Sequence, residues 1–340
     1  MRGRTPLFRA AENGHEEVVK VLLERNDVNP SIVDEGGRTP LYVAAKNGHG
    51  EVVRALLERN DVDSGRAEAF RRTPLCIASW NGHEEAVKAL LEQSNANLNT
   101  PDMWGGTPLS GAAWKGHEGI VKLLLGREEV ISNSRDKYGQ TPLHYAARGG
   151  HKGIVKLLLG QQGDGPDPRD NHNRTPLRIP AVGHERIGKL LLGLKEVNPN
   201  WRDRDGRTPL LLAAMCGHEG VAKLLLAQKE VNPNAEDLSG RTPLRCAVGR
   251  GHEGIVKLLL DRNEVNPDSQ DDDGKTPLMW AAEGGHEAVL KLLVGRKNVN
   301  PSSKDKRGRT PLMWAAVGGH EGIVKLLQGH EAAGFSTEAN

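Results

Sequence analysis

Short apolar stripes alternate with polar stretches along the whole chain, at a constant interval. The first unit sets the pattern. Thr5 suits the N-cap of a helix and Pro6 its first position, where a missing N–H costs nothing. A short helix is predicted over Pro6 to Glu12, with Ala10 and Ala11 leaving room for a close neighbour. Gly14 supplies the left-handed conformation that ends helices. A second helix is predicted from about His15 to Arg25. Val18, Val19, Leu22 and Leu23 share one face, and Glu16, Glu17, Lys20 and Glu24 lie on the other. Polar residues from Asn26 to Arg38 lead to the next unit, with Gly37 placed where a turn needs positive φ. Apolar runs such as Ile154-Val155 and Leu157-Leu158-Leu159, broken by Lys156, fall far short of the roughly twenty residues that span a bilayer.

The unit repeats. Thr-Pro pairs at Thr5, Thr39, Thr73, Thr107, Thr141, Thr175, Thr208, Thr242, Thr276 and Thr310 are spaced by 34 residues, with a single step of 33 after Thr175. A Gly-His pair follows each at a fixed distance, ending at His15, His49, His83, His117, His151, His184, His218, His252, His286 and His320; His184 comes one residue early. Two amphipathic helices cannot bury their apolar stripes alone, and stacking on neighbours does so, which makes the chain a solenoid. Residues 1–328 form ten repeats and 329–340 a polar tail.

The string DKYGQTPLHYAARGGHKGIVKLLL, Asp136 to Leu159, closely resembles the ankyrin repeat, and the resemblance runs through 1–328. It implies an all-α helical repeat solenoid of about ten units with short β-hairpin fingers. It also implies a non-enzymatic scaffold or adaptor that binds protein partners through finger tips and a concave groove. The tandem copies look like fungal arrays that stand behind a nucleotide-binding domain. Two alternatives follow: a partner-sensing array from such a receptor-like protein, and the targeting subunit of an enzyme complex.

Composition narrows the chemistry. Among 340 residues, 46 Lys and Arg against 44 Asp and Glu leave a net charge of +2, with no general attraction to nucleic acid or acidic membranes. Ten of the thirteen His belong to the repeat, leaving His144, His172 and His330, and His144 takes the structural place in TPLH. No HExxH and no phosphate-loop motif occurs. Cys76, Cys216 and Cys246 form no CxxC pair, which fits a reducing setting. The expectation is a protein partner with no catalytic residue, cofactor, metal, nucleic acid, membrane or small-molecule substrate. The expected compartment is the cytoplasm, with the nucleus left open.

Shared positions carry the fold, so function is sought where copies differ. The position three before each Thr falls at a finger tip and reads Gly36, Phe70, Trp104, Tyr138, His172, Asp205, Ser239, Asp273 and Arg307. The position seven after each Thr, concave in this family, gives Glu12, Lys46, Trp80, Trp114 and Arg148. Twelve aromatics make up only 4% of the chain. Their gathering in repeats three to six nominates Phe70, Trp80, Met103, Trp104, Trp114, Tyr138, Arg148 and His172 as partner-binding residues. A structural ladder of stacked fingers, or drift between copies, would also explain them. Trp280 and Trp314 share a place on the first helix and are expected to pack within or between repeats.

The residue before Thr is basic in eight copies, a ladder that either attracts an acidic partner or pairs with the finger Asp of its own loop. Pro180 breaks the sixth repeat's first helix, and a Gly- and Pro-rich finger precedes it, so a hinge is expected near 160–184. Arg71 stands where Gly belongs, and an irregular finger is expected there. Repeat ten, with Gln328 for a leucine, is expected to form a polar cap, and repeat one to leave its outer face partly apolar.

Overall fold

The computed structural model describes residues 4–93, 97–161, 163, 165–178 and 183–337. It divides into two compact units, 1–171 and 172–340.

In the first unit the first helices of successive repeats are Pro6–Asn13, Pro40–Asn47, Pro74–Asn81, Pro108–Lys115 and Pro142–Gly149. Their partners are Glu16–Leu23, Gly50–Leu57, Glu84–Leu91, Glu118–Leu125 and Lys152–Leu159. Each first helix starts at the expected Thr. Its hydroxyl oxygen accepts the N–H three residues on, as from Phe8 to Thr5 (3.2 Å) and Tyr42 to Thr39 (3.1 Å). In the fifth repeat the TPLH histidine joins the cap: His144 Nδ1 accepts from the Thr141 N–H at 3.2 Å and the Thr141 hydroxyl at 3.0 Å.

First helices pack on first helices and second on second. Burial follows from this stacking. Val52 in repeat two is 1% exposed, whereas Val18, its counterpart in repeat one, is 51% exposed. The same sequence pattern thus buries its stripe only where a preceding repeat covers it. Val18 therefore does not join Val19 and Leu23 in the core.

The second unit repeats the plan with one interruption. A single 3-10 turn, Pro176–Arg178, stands in the place of the sixth repeat's first helix among the described residues. Pro180 lies outside them, as do Gln162 and Asp164 of the expected hinge. Pro209–Cys216, Pro243–Val248, Pro277–Glu283 and Pro311–Val317 are the later first helices. Glu185–Leu192, Glu219–Leu226, Glu253–Leu260, Glu287–Val294 and Glu321–Thr337 are the second helices. Trp314 is buried and donates its indole N–H to Asp305 (3.2 Å), and Trp280 does the same to Asp271 (3.0 Å). Trp280 and Trp314 thus bond the finger of their own repeat, and the Trp314 ring also packs on Lys275 of the repeat before.

Three expectations change. Among the described residues no β-strand occurs, so the fingers are tight turns rather than strand pairs. Asp34 N–H meets the Arg38 carbonyl at 3.0 Å and Gly37 N–H the Asp34 carbonyl at 2.9 Å, and the loop is too short for a ladder. Neighbouring fingers are instead tied tip to tip, as in Ala69 N–H to Gly36 O (3.2 Å) and Met103 N–H to Phe70 O (2.9 Å). The finger with Arg71 is regular, because Arg71 itself takes the left-handed conformation at φ +61° and keeps the turn bond to Glu68 at 2.8 Å. Repeat ten is not a wholly polar cap. Met279 is buried, but its counterpart Met313 and the nearby Val317 are exposed.

Within each unit the Gly-His pair joins a repeat to the one before. Gly82 sits at φ +85°, and a Cβ there would lie 2.5 Å from Cε1 of His117. Gly82→Ala is expected to lower stability by at least the roughly 1–2 kcal/mol of a left-handed non-glycine residue; an unchanged urea midpoint would refute the packing role. Arg71→Gly removes the same kind of strain and is expected to raise stability by about 1 kcal/mol. Equilibrium unfolding of the variant with a lower midpoint would contradict this.

Candidate partner-binding site

Seven of the eight nominated residues lie in the first unit, and five of them, Phe70, Trp80, Trp104, Trp114 and Tyr138, line two adjoining recesses. The backbone explains how. At the position seven after Thr the carbonyl, not the side chain, serves the fold: Glu12, Lys46, Trp80 and Trp114 accept from the ring Nε2 of His49 (3.2 Å), His83 (2.9 Å), His117 (3.1 Å) and His151 (3.1 Å). A carbonyl only accepts, so Nε2 carries the proton. The side chains of Trp80 and Trp114 are left free to project. The tip residues are held similarly. Asp102 Oδ1 accepts from the N–H of Trp104 (2.9 Å) and of Gly106 (2.8 Å), and the Trp104 carbonyl accepts from Lys137 (3.0 Å).

Phe70, Trp80, Met103, Trp104 and Tyr138 are all exposed, and Trp114 is half-buried. Phe70 and Trp104 stack with centroids 6.1 Å apart and planes 12° off parallel, so the finger ladder exists between these two. It does not hide them: they remain 46% and 45% exposed. Cations cover outer ring faces, with Lys115 4.9 Å from the Trp80 ring and Arg148 5.6 Å from that of Trp114. Arg148 therefore joins the cluster as a ring partner. His172 belongs to the second unit, where its carbonyl accepts from Arg204 (3.0 Å).

Trp80, Trp104, Trp114 and Tyr138 line a cleft of about 190 Å³. Its remaining lining includes residues that the tip and groove positions did not reveal: Arg72, Cys76, Asp102 and Tyr145. Two glycines open it. Gly111 stands where other copies carry a larger residue such as Ile77 or Tyr145, and its missing Cβ would be 3.3 Å from Trp80 Cε3. Gly106 stands where eight copies carry a cation. A neighbouring recess of about 380 Å³ shares Arg72 and Trp80 with it and adds Phe70.

Tyr145 meets Trp114 edge to face at 5.5 Å and donates its hydroxyl to Asp136. Burial, then the bond to Asp136, pushes its phenol well above the ordinary value. Burial pushes the Cys76 thiol up, the reverse of an activated nucleophile. Among the described residues no group of three His, Cys, Asp or Glu is placed to hold a metal ion.

The basic ladder pairs mainly with its own fingers. Arg38 holds Asp34 through Nε at 2.9 Å, Arg72 holds Glu68 at 2.9 Å, Arg241 holds Asp237 at 2.8 Å and Arg309 holds Asp305 at 2.9 Å. Burial alone would raise the Asp34 and Asp237 carboxyls, but Arg38 and Arg241 with nearby backbone N–H groups outweigh it and hold both below the ordinary value.

Comparison with known proteins agrees with this architecture. The family model described as ankyrin repeats in three copies matches residues 2–67, 59–134, 109–200, 181–271 and 255–337. The chain belongs to the ankyrin repeat family. A crystal structure of the human ASB11 ankyrin repeat domain is similar with a TM-score of 0.60 and 26% identity, covering 67% of this chain and 99% of that one. No curated protein sequence matches the chain. Beside the interrupted sixth repeat, the cleft in repeats three to five is a second departure from the regular pattern.

Tyr145→Phe removes the hydroxyl that meets the buried Asp136 carboxylate and is expected to cost about 1–3 kcal/mol. Urea unfolding at neutral pH measures it; an unaltered midpoint would show that the bond contributes nothing.

Proposed function

We propose that the protein is a non-catalytic interaction module whose protein partner docks on the aromatic face of repeats three to five, through Phe70, Trp80, Met103, Trp104, Trp114 and Tyr138. Ankyrin repeats are generally protein-binding modules, and the carrying observation for the site is the exposure of these rings beside the cleft. An exposed patch of Trp and Tyr around a recess has the composition of an interface hot spot. Arg148 supports the patch by covering Trp114.

The partner is a protein rather than a nucleic acid. The basic ladder that would track phosphates is largely spent on Asp34, Glu68, Asp237 and Asp305, and the net charge is +2. Among the described residues no helix is long and apolar enough to cross a membrane. Two buried thiols, Cys76 and Cys246, and no disulfide among the described residues support a reducing compartment such as the cytoplasm.

Affinity capture with the intact array, set beside the Trp104→Ala and Trp114→Ala double variant, tests the site. The specific partner is expected to be lost from the double variant, whose unfolding midpoint stays near that of the parent. Equal capture by both proteins would sink the assignment.

A further inference from the structure

Resting on the docking reading above, we propose that the cleft lined by Trp80, Trp104 and Trp114 receives an arginine side chain of the partner, with Asp102 as its counter-charge.

The argument starts from the finger carboxylates, five residues before each Thr. All but one bond a side-chain donor within their own unit. Arg38 holds Asp34, Arg72 holds Glu68, Tyr145 holds Asp136 and Gln140 reaches Asp170. In the second unit Arg178 holds Asp203, Arg241 holds Asp237, Arg245 holds Asp271 and Arg309 holds Asp305. Asp102 is the exception. Its Oδ1 accepts from the Trp104 and Gly106 N–H groups, and among the described residues no cation bonds or ion-pairs with it, although its charge acts on Arg72 from a distance. The cause is local. Gly106 replaces the arginine of sister copies, and a Cβ on it would lie 3.3 Å from Asp102 Oδ2. Arg72 also lines the cleft, but it is tied to Glu68 and lies over Phe70 at 5.2 Å.

The molecule shows twice what a filled version looks like. Arg309 bonds Asp305 at 2.9 Å and stacks 3.8 Å from the Trp314 ring centre. Arg245 meets Asp271 at 3.2 Å and lies 5.0 Å from that of Trp280. Lys275 also lies over both rings, 4.3 Å from that of Trp280 and 3.4 Å from that of Trp314, but its ammonium bonds Glu283, so the guanidinium is the group that joins ring and finger carboxylate in each. Repeat four keeps the carboxylate but has Gly106 for the guanidinium and Gly111 for the ring, and the cleft in their place is walled by indoles from other positions, Trp80, Trp104 and Trp114. A planar cation that stacks on indole while it bonds a carboxylate fits this site better than a compact, strongly hydrated ammonium.

The test titrates four capped pentapeptides, Gly-Gly-Xaa-Gly-Gly, into the full chain while the tryptophan indole N–H resonances are followed. Xaa is arginine, its neutral isostere citrulline, lysine or norleucine. The arginine peptide is expected to shift the resonances of Trp80, Trp104 and Trp114 and to bind at least 10-fold more tightly than the citrulline or lysine peptides. Asp102→Asn, which keeps an oxygen for the two N–H groups, is expected to lose that preference. Gly106→Arg supplies the missing cation from within and is expected to block the arginine peptide; should it fail to fold, Asp102→Asn still decides. Citrulline or lysine binding as tightly as arginine, undiminished arginine binding by Asp102→Asn, or no response to any peptide overturns the proposal. If any of these occurs while the double tryptophan variant still loses its partner, only the arginine inference falls. If that variant keeps its partner, the docking reading falls.

Discussion

The structure depends on a contact between a glycine with no side chain and a histidine from the next repeat. Gly48, Gly82 and Gly116 end their helices at φ between +83° and +85°, a region open to glycine at little cost. The ring of the following histidine occupies the space a Cβ would need, within 2.5 Å in each case. From there it bonds a carbonyl of the repeat before. Within a unit each repeat therefore seals the helix end of its predecessor, and the spacing of Gly-His must match the spacing of Thr-Pro. This is why both recur together and why the histidines, abundant as they are, have Nε2 committed to the stack wherever the bond to the carbonyl forms.

That bond uses only backbone on the receiving side. Glu12, Lys46, Trp80 and Trp114 are unlike in size and charge, yet their carbonyls do the same work. A position whose backbone is fixed and whose side chain is free can change without cost to the stack. The finger tips follow the same rule, since Gly36, Phe70, Trp104 and Tyr138 all offer a carbonyl to the next finger. The aromatic face is thus built from the two positions in the repeat that are held most firmly and constrained least in identity.

Much of this was legible in the residues. Spacing alone marks every Thr cap, and the variable positions single out the exposed rings. What escaped was of two kinds. Some outcomes depend on how far a residue can be strained: Arg71 adopts a glycine conformation, and its finger stays regular. Others depend on an empty space. The loss of the basic residue at Gly106 and Gln140 is visible in the alignment of copies, but its effects diverge. At Gln140 the freed Asp136 takes the Tyr145 hydroxyl, because that ring stands in the same place as Trp280 and Trp314, whose indole N–H groups reach their own finger Asp. At Gly106 the equivalent place on the helix is Gly111, and no such donor exists.

The candidate site is therefore made by subtraction as much as by addition. A repeat with Arg at 106 and a bulky residue at 111 would close the carboxylate and fill the space against Trp80. Two small residues in one copy remove a cation and a wall together, and leave rings, a carboxylate and a cavity in register. Drift in a duplicated array can delete one side chain anywhere. Here both deletions fall in the copy that also carries Trp104 and Trp114, so the absences and the aromatics bound the same cleft, which is the arrangement a binding site requires and a ladder of stacked fingers does not.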